Sequence, residues 1–283
     1  MPRPAAKSLI LDLLSTLPRG AMPVRTLIDA GALFGLAGNN VRVALARLLA
    51  ARLIERDDRG LYRLGEQAKG VSRQVASWRT VDERVRPWDG GWIGVHTAGL
   101  PRGDRRAARL RTRAFRLLGF RTLVDGLELR PDNLAGGVTT VREQLVRLGL
   151  DEAAPVFALG QLDAATDARA RRLWHPLALR AGYRKMRTAL AESEKRIPDL
   201  SVAAAMTESF RLGGQAIRQI VLDPLLPEPI VPAAERAALV AALRRYDRLG
   251  RSCWAEFMRA TGVTGLRTPA DVRMMESAAG GLE

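Results

Sequence analysis

A protein surface that works on duplex DNA needs guanidinium forks for phosphates and guanine edges. It also needs amides for adenine, and small side chains that let a helix come close. The stretch Gly38-Asn39-Asn40-Val41-Arg42-Val43-Ala44-Leu45-Ala46-Arg47-Leu48-Leu49 carries that set. At 100° per residue, Val41, Leu45 and Leu48, with Leu49 beside them, form the buried stripe of a helix over about Asn40–Ala51. Asn39, Val43 and Ala46 fall on the opposite side, and Arg42 and Arg47 flank them. Asn39 and Asn40 stand at the N-terminal end, where recognition helices usually meet bases. Arg56, Arg59 and Arg63 lie a little further on, in a hairpin pattern. Arginines of this kind also occur on ordinary solvated helix faces, so each is weighed with its surroundings.

Residues for covalent or metal chemistry do not assemble. There is no glycine-rich phosphate loop and no Gly-x-Ser-x-Gly. His96 and His175 have no metal partners at ligand spacing and are read as structural. Cys253 is the single cysteine, which excludes an internal disulfide and a cysteine-built zinc site. No cofactor and no metal is expected, and the chain is not read as an enzyme. The competing class is a metal-dependent nuclease on a ferredoxin-like domain. Small CRISPR-associated endonucleases of that shape carry a carboxylate near the end of the first strand, to hold the metal that activates water. Here that strand ends Val95-His96-Thr97, and Asp89 precedes it in a turn.

The elements that must position the arginines follow from periodicity. Leu9, Ile10, Leu13, Leu14 and Leu17 form one helical face, ended by Pro18-Arg19-Gly20. Pro23 opens a second helix with Leu27 and Ile28 inward and Gly31 near its end. After the third helix the period shortens: Leu53–Arg56 and Leu61–Leu64 are strands around the turn Asp57-Asp58-Arg59-Gly60. Three helices and a hairpin predict a winged helix-turn-helix over residues 1–83.

Residues 84–160 alternate differently. Strands are expected at Trp92–His96, Thr122–Val124, Leu127–Leu129 and Val156–Leu159. The first helix is capped by Asp104, with Ala107, Leu110, Ala114, Leu117 and Leu118 inward. A second helix has Val138, Val141, Leu145 and Leu148 inward. This order predicts a ferredoxin-like βαββαβ domain. The outer face of its first helix carries Arg105, Arg106, Arg109, Arg111, Arg113 and Arg116, which suits a nucleic-acid or CoA-phosphate surface or a solvated face. Residues 161–283 predict an all-helical domain, with helices over about 164–174, 177–196, 201–222, 233–249 and 253–260. A proline-rich break, Asp223-Pro224-Leu225-Leu226-Pro227-Glu228-Pro229, interrupts it, and the tail after Thr268 is expected to fray. The fold class expected is therefore α+β. Trp174 and Tyr183, near a helix break, are candidates for a ligand pocket or for core packing.

A net charge of +15 favours polyanionic partners. Three facts temper it. Lysine supplies only four of the 45 basic residues, and alanine is also abundant, a bias that a GC-rich genome produces unaided. Each third of the chain carries the same +5, so local pattern, not net charge, must locate a site. No apolar run is long enough to span a bilayer and no secretory leader is evident, so a soluble cytoplasmic protein without membrane contact is expected.

Several motifs then line up in order. Val41-Arg42-Val43-Ala44-Leu45-Ala46-Arg47-Leu48 resembles the recognition-helix motif of the PaaX-type repressors of phenylacetic acid degradation. Trp88-Asp89-Gly90-Gly91-Trp92 resembles the opening of that family's middle domain. Leu118-Gly119-Phe120 and Gly126-Leu127-Glu128-Leu129-Arg130-Pro131 resemble its continuation. Asp223-Pro224-Leu225-Leu226-Pro227 resembles a motif of its C-terminal domain. The resemblance spans about residues 5–260; the family's Trp-Pro-Gly is absent, and Pro232-Ala233-Ala234 stands near its place. The resemblance implies a homodimeric winged-helix repressor of a catabolic operon. It would bind a double-stranded DNA operator through the third helix and be released by an acyl-CoA effector such as phenylacetyl-CoA. An activator with the same architecture, and a winged-helix protein-interaction scaffold, remain alternatives.

Overall fold

The computed structural model describes residues 5–15, 21–66, 68, 77–101 and 103–260. The chain is a mixed α+β protein with two small antiparallel sheets among its described residues. It divides into two compact units. The first comprises 1–76, 190–215 and 243–283; the second comprises 77–189 and 216–242. Helices of 161–283 fall in both units.

In the first unit, α1 (Ala6–Ser15), β1 (Met22–Pro23), α2 (Val24–Leu33), α3 (Gly38–Ala50), β2 (Ile54–Arg56) and β3 (Leu61–Leu64) follow one another. The sheet order is β1-β3-β2, with Met22 opposite Tyr62 and Arg56 opposite Tyr62 on the other side. Strand β1 is too short to leave a periodic signal and was not expected. The expected end of the first helix, Leu17 to Gly20, lies outside the described residues. Leu9, Ile10, Leu13 and Leu14 are buried as the period requires. Their core also takes in Phe34, Val41, Leu45, Leu48, Met206, Trp254 and Met258. The Phe34 ring meets Phe210 edge-on at 5.2 Å and stacks with Trp254 at 6.4 Å. Three short helices and a hairpin make a small core; residues from the chain's far end enlarge it.

In the second unit, β4 (Trp92–His96), α4 (Arg105–Leu117), β5 (Arg121–Val124), β6 (Leu127–Pro131), α5 (Gly137–Arg147) and β7 (Val156–Leu159) form a sheet of order β5-β6-β4-β7, antiparallel throughout. Strand β4 is central and reads as buried from Trp92 to Val95. Asp104 caps α4 as expected, accepting from the amides of Arg106 at 2.8 Å and Ala107 at 3.0 Å. The buried seam of α4 is Ala114, Phe115 and Leu118, whereas Leu110 is 37% exposed. Leu110 stands at the seam's edge over Gly149, where a Cβ would lie 3.0 Å from its own.

Helices α6 (Ala164–Arg171), α7 (Pro176–Arg196), α8 (Val202–Val221) and α9 (Ala233–Ala260) complete the described residues. The break before α7 falls at His175, whose backbone is left-handed at φ 49°, and Pro176 then takes the first helical position. The two helices expected at 233–249 and 253–260 are one helix of 28 residues. Gly250 lies inside it, and one helical glycine is tolerated. No helix among the described residues is long and apolar enough to cross a membrane.

Candidate nucleic-acid interface

Helix α3 is positioned by two devices. One is the turn that ends α2. Leu36 N–H donates to Gly31 O at 3.1 Å and Gly35 N–H to Ala32 O at 2.9 Å, with Gly35 at φ 71°. That is a Schellman cap, and it fixes where the chain turns into α3. The other is the close approach of α2 to α3. A Cβ at Gly31 would sit 2.8 Å from Val41 Cγ2, so any side chain there forces α2 and α3 apart or moves Val41. A second cap closes α3. Leu53 N–H donates to Leu48 O at 3.0 Å and Arg52 N–H to Leu49 O at 2.9 Å, with Arg52 left-handed at φ 53°.

The result is a two-sided helix. Val41, Leu45 and Leu48 are buried. Asn39, Asn40, Arg42, Val43, Ala46 and Arg47 are all exposed, and Val43 is 43% exposed. Leu49, expected in the buried stripe, is half-buried at its edge. A strip with a small apolar centre, flanked by two guanidinium groups and headed by two amides, can lie in a groove. The arginines can fork onto phosphates or guanine, the asparagines can pair with adenine, and Val43 can touch a thymine methyl.

The hairpin β2–β3 adds three arginines in different situations. Its turn is held by Asp57, whose carboxylate accepts from Arg59 N–H at 3.0 Å and Leu61 N–H at 2.8 Å. Arg59 is therefore carried exposed at the tip. Arg63 is tied across the strands to Glu55, Nε to Oε2 at 3.1 Å. Arg56 lies over the Tyr62 ring at 5.8 Å. All three are exposed, but only Arg59 is presented without a named partner on the hairpin itself.

Trp174 and Tyr183 sit elsewhere, in the second unit, and both are core residues with their polar atoms occupied. Trp174 is 4% exposed, stacks with Trp92 at 6.1 Å and donates Nε1–H to Gly119 O at 2.8 Å. Tyr183 is 1% exposed and donates its hydroxyl to Asp223 Oδ2 at 2.5 Å.

Around that bond lies a buried polar cluster that sequence reading missed. Arg130 donates from Nε to Pro131 O at 3.0 Å, from a terminal nitrogen to Leu118 O, and to Asn133 Oδ1 at 2.9 Å. Asn133 donates to Leu225 O at 2.7 Å, Leu225 N–H donates to Asp223 at 2.8 Å, and Arg236 donates to Leu226 O at 2.9 Å. Burial pushes the Arg130 guanidinium down to about 9, with the charge of Arg84 adding to this and Asp132 opposing it. Burial raises the Asp223 carboxyl against the opposing pull of Tyr183 and Arg236. The only signal was the pair of motifs Glu128–Pro131 and Asp223–Pro227. Nothing in their spacing indicated that they would meet. The cluster satisfies the backbone carbonyls of a proline-rich segment that has no helix or sheet to do so.

No protein-family model matches the chain, and no curated protein matches it. Among solved structures, it is similar to the uncharacterized protein Rv0674 from Mycobacterium tuberculosis, at 22% identity. That match has a TM-score of 0.58 over 89% of this chain and 99% of that one. The likeness is one of fold.

Proposed function

We propose that this protein binds double-stranded DNA through its first unit and acts as a transcriptional regulator. We read the order α1, β1, α2, α3, β2, β3 with the sheet β1-β3-β2 as a winged helix-turn-helix, with α2 and α3 as the helix pair and β2–β3 as the wing. The second sheet, β5-β6-β4-β7, with α4 and α5 as its crossovers, follows the ferredoxin-like split βαβ pattern. One observation carries the reading. The strip Asn39, Arg42, Val43, Ala46 and Arg47 is exposed along a helix whose opposite side is buried in the core.

The resemblance to PaaX-type repressors supports a homodimer that represses a catabolic operon in the cytoplasm and is released by an acyl-CoA thioester, phenylacetyl-CoA being the first to try. A dimer would hold two recognition helices about 34–36 Å apart. An effector shifts occupancy only by its preference for the DNA-free form, typically about 1–3 kcal/mol or 5- to 150-fold.

Selection of bound sequences from random duplexes, followed by gel-shift titration, tests the proposal. Arg42→Ala and Arg47→Ala are each expected to lose about 1–3 kcal/mol at a guanine contact, or to weaken all sequences equally at a phosphate contact. If both variants are folded and keep wild-type affinity, the assignment of α3 fails.

A further inference from the structure

The second unit carries a charged surface that the operator-reading helix does not explain. Residues 105–124 contain seven arginines and no acidic residue. Six of those arginines lie on α4. At 100° per residue, Arg105, Arg106, Arg109, Arg113 and Arg116 fall within about 100° of arc and span about 16 Å along the axis. All five are exposed, while Arg111 is half-buried away from them. The opposite side of the helix, at Ala114 and Phe115, is core.

This arrangement is unfavourable for the helix itself. Arg105 faces Arg109 and Arg109 faces Arg113 at four-residue spacing, and Arg106–Arg109 and Arg113–Arg116 are at three. Like charges at such spacings repel. Arg105 and Arg106 also occupy the first turn, at the positive end of the helix dipole. Asp104 offsets part of this; the Ala107 and Arg106 amides, and then the charges of Arg106 and Arg109, hold its carboxyl below the ordinary range.

Three other helices each keep an arginine in an ion pair. Arg171 meets Asp167 at 2.5 Å, Arg180 meets Glu235 at 2.9 Å, and Arg251 meets Asp247 at 2.8 Å. Among the described residues no acidic group lies within ion-pair distance of any arginine on α4. Arginine-rich composition would raise the number of arginines everywhere; it does not by itself line five of them along one helix face without a counter-charge.

We propose that the arginine face of α4 is a second DNA contact, which grips the phosphate backbone without reading sequence. A convex row of five guanidinium groups lacks the concave walls that a small phosphorylated ligand needs. A regular polyanion matches it, because each neutralised phosphate releases condensed counterions. The inference rests on the reading that the protein binds DNA, but not on α3 being the part that reads sequence.

The test uses the full chain with Arg105→Gln, Arg109→Gln, Arg113→Gln and Arg116→Gln combined. Glutamine is a good helix former and removes the repulsion, so the variant is expected to melt no lower than wild type. Affinity is measured on a selected operator and on a scrambled duplex of equal length, from about 50 to about 200 mM salt. The plot of log affinity against log salt is expected to flatten by about 3 to 4 units on both duplexes, since each contact adds about 0.9. The double variant Arg42→Ala/Arg47→Ala, run beside it, is expected to lose the preference for operator over scrambled DNA. An unchanged slope in the glutamine variant overturns the α4 contact, and leaves the α3 reading standing if the double variant still loses its preference. Unchanged DNA binding with lost retention on polyglutamate assigns the face to an acidic protein and also overturns it. Wild-type protein that binds neither duplex at about 50 mM salt overturns both.

Discussion

The two units differ in what they bury. In the first, the core is apolar and aromatic, and the cations of α3 and the hairpin stand outside it. In the second, Arg130, Asn133, Asp223 and Arg236 are themselves buried. A buried charge must be satisfied from within, and here carbonyls of Leu118, Pro131 and Leu226 do so. An exposed, unpaired charge has only solvent or a partner to meet. The same residue type therefore means different things: Arg130 ties Leu118, Pro131 and Asn133 together, and Arg47 is free to bind something else. Counting arginines cannot separate them; burial and hydrogen bonding can.

The largest expected effect comes from the apolar core. Trp254 stacks on Phe34 and donates Nε1–H to Met206 O at 3.2 Å. Trp254→Ala removes a large side chain from the first unit's core, and a loss of about 3–5 kcal/mol is expected in urea unfolding. For the same reason residues 1–83 made alone are expected to lack cooperative unfolding, although sequence periodicity marks them as a domain. A sharp thermal transition in that fragment would show that the far-end helices are not needed.

The next effect comes from the polar side. Asp223→Ala leaves the Tyr183 hydroxyl and the Leu225 amide as buried donors without acceptors, and about 2–4 kcal/mol is expected to be lost. Asp223→Asn keeps the shape and tests the sign with pH. Because the folded carboxyl is raised, its protonated form is favoured in the fold. Its contribution is full below the ordinary carboxylate value and declines as pH rises through the raised one. The stability of wild type relative to the asparagine variant should therefore narrow from about pH 4 upward. A difference that widens with pH would mean that the carboxylate is held charged by Arg84 and Arg236.

Much of the layout was legible in the sequence, and the misses share a cause. The stripes of α1 and α3, the cap at Asp104 and the strands Trp92–His96 and Val156–Leu159 depend on neighbours in sequence, and they lie where period and capping place them. Strand β1 is two residues long, too short for a period. Membership of Trp254 in the first core, and the meeting of Arg130 with Leu225 through Asn133, depend on residues far apart in the chain. The exposed strip of α3 was readable from its wheel alone. That Arg63 is tied to Glu55 while Arg59 stands at the tip needed the hairpin register.

The smallest expected effect probes how tightly the first unit holds its exposed helix. Gly31→Ala places a methyl 2.8 Å from Val41 Cγ2, so α2 and α3 must part or Val41 must leave its rotamer. Overpacking of this kind costs about 1–3 kcal/mol. Alanine also gains up to about 1 kcal/mol over glycine in a helix interior, so the net loss should be modest. Val41→Ala removes the obstructing Cγ2, and alone it destabilises by leaving a cavity. Combined, the two changes should couple favourably: the new methyl has room, partly fills the cavity and keeps its helical gain. A double-mutant cycle in urea measures that coupling, expected at about 1 kcal/mol or more. The same variants report on DNA. If α2 and α3 part in Gly31→Ala, operator affinity falls although no residue of the exposed strip has changed, and adding Val41→Ala restores it. Additive stabilities with unchanged affinity would show that the contact at Gly31 is slack and that the pose of α3 is set by its two caps alone.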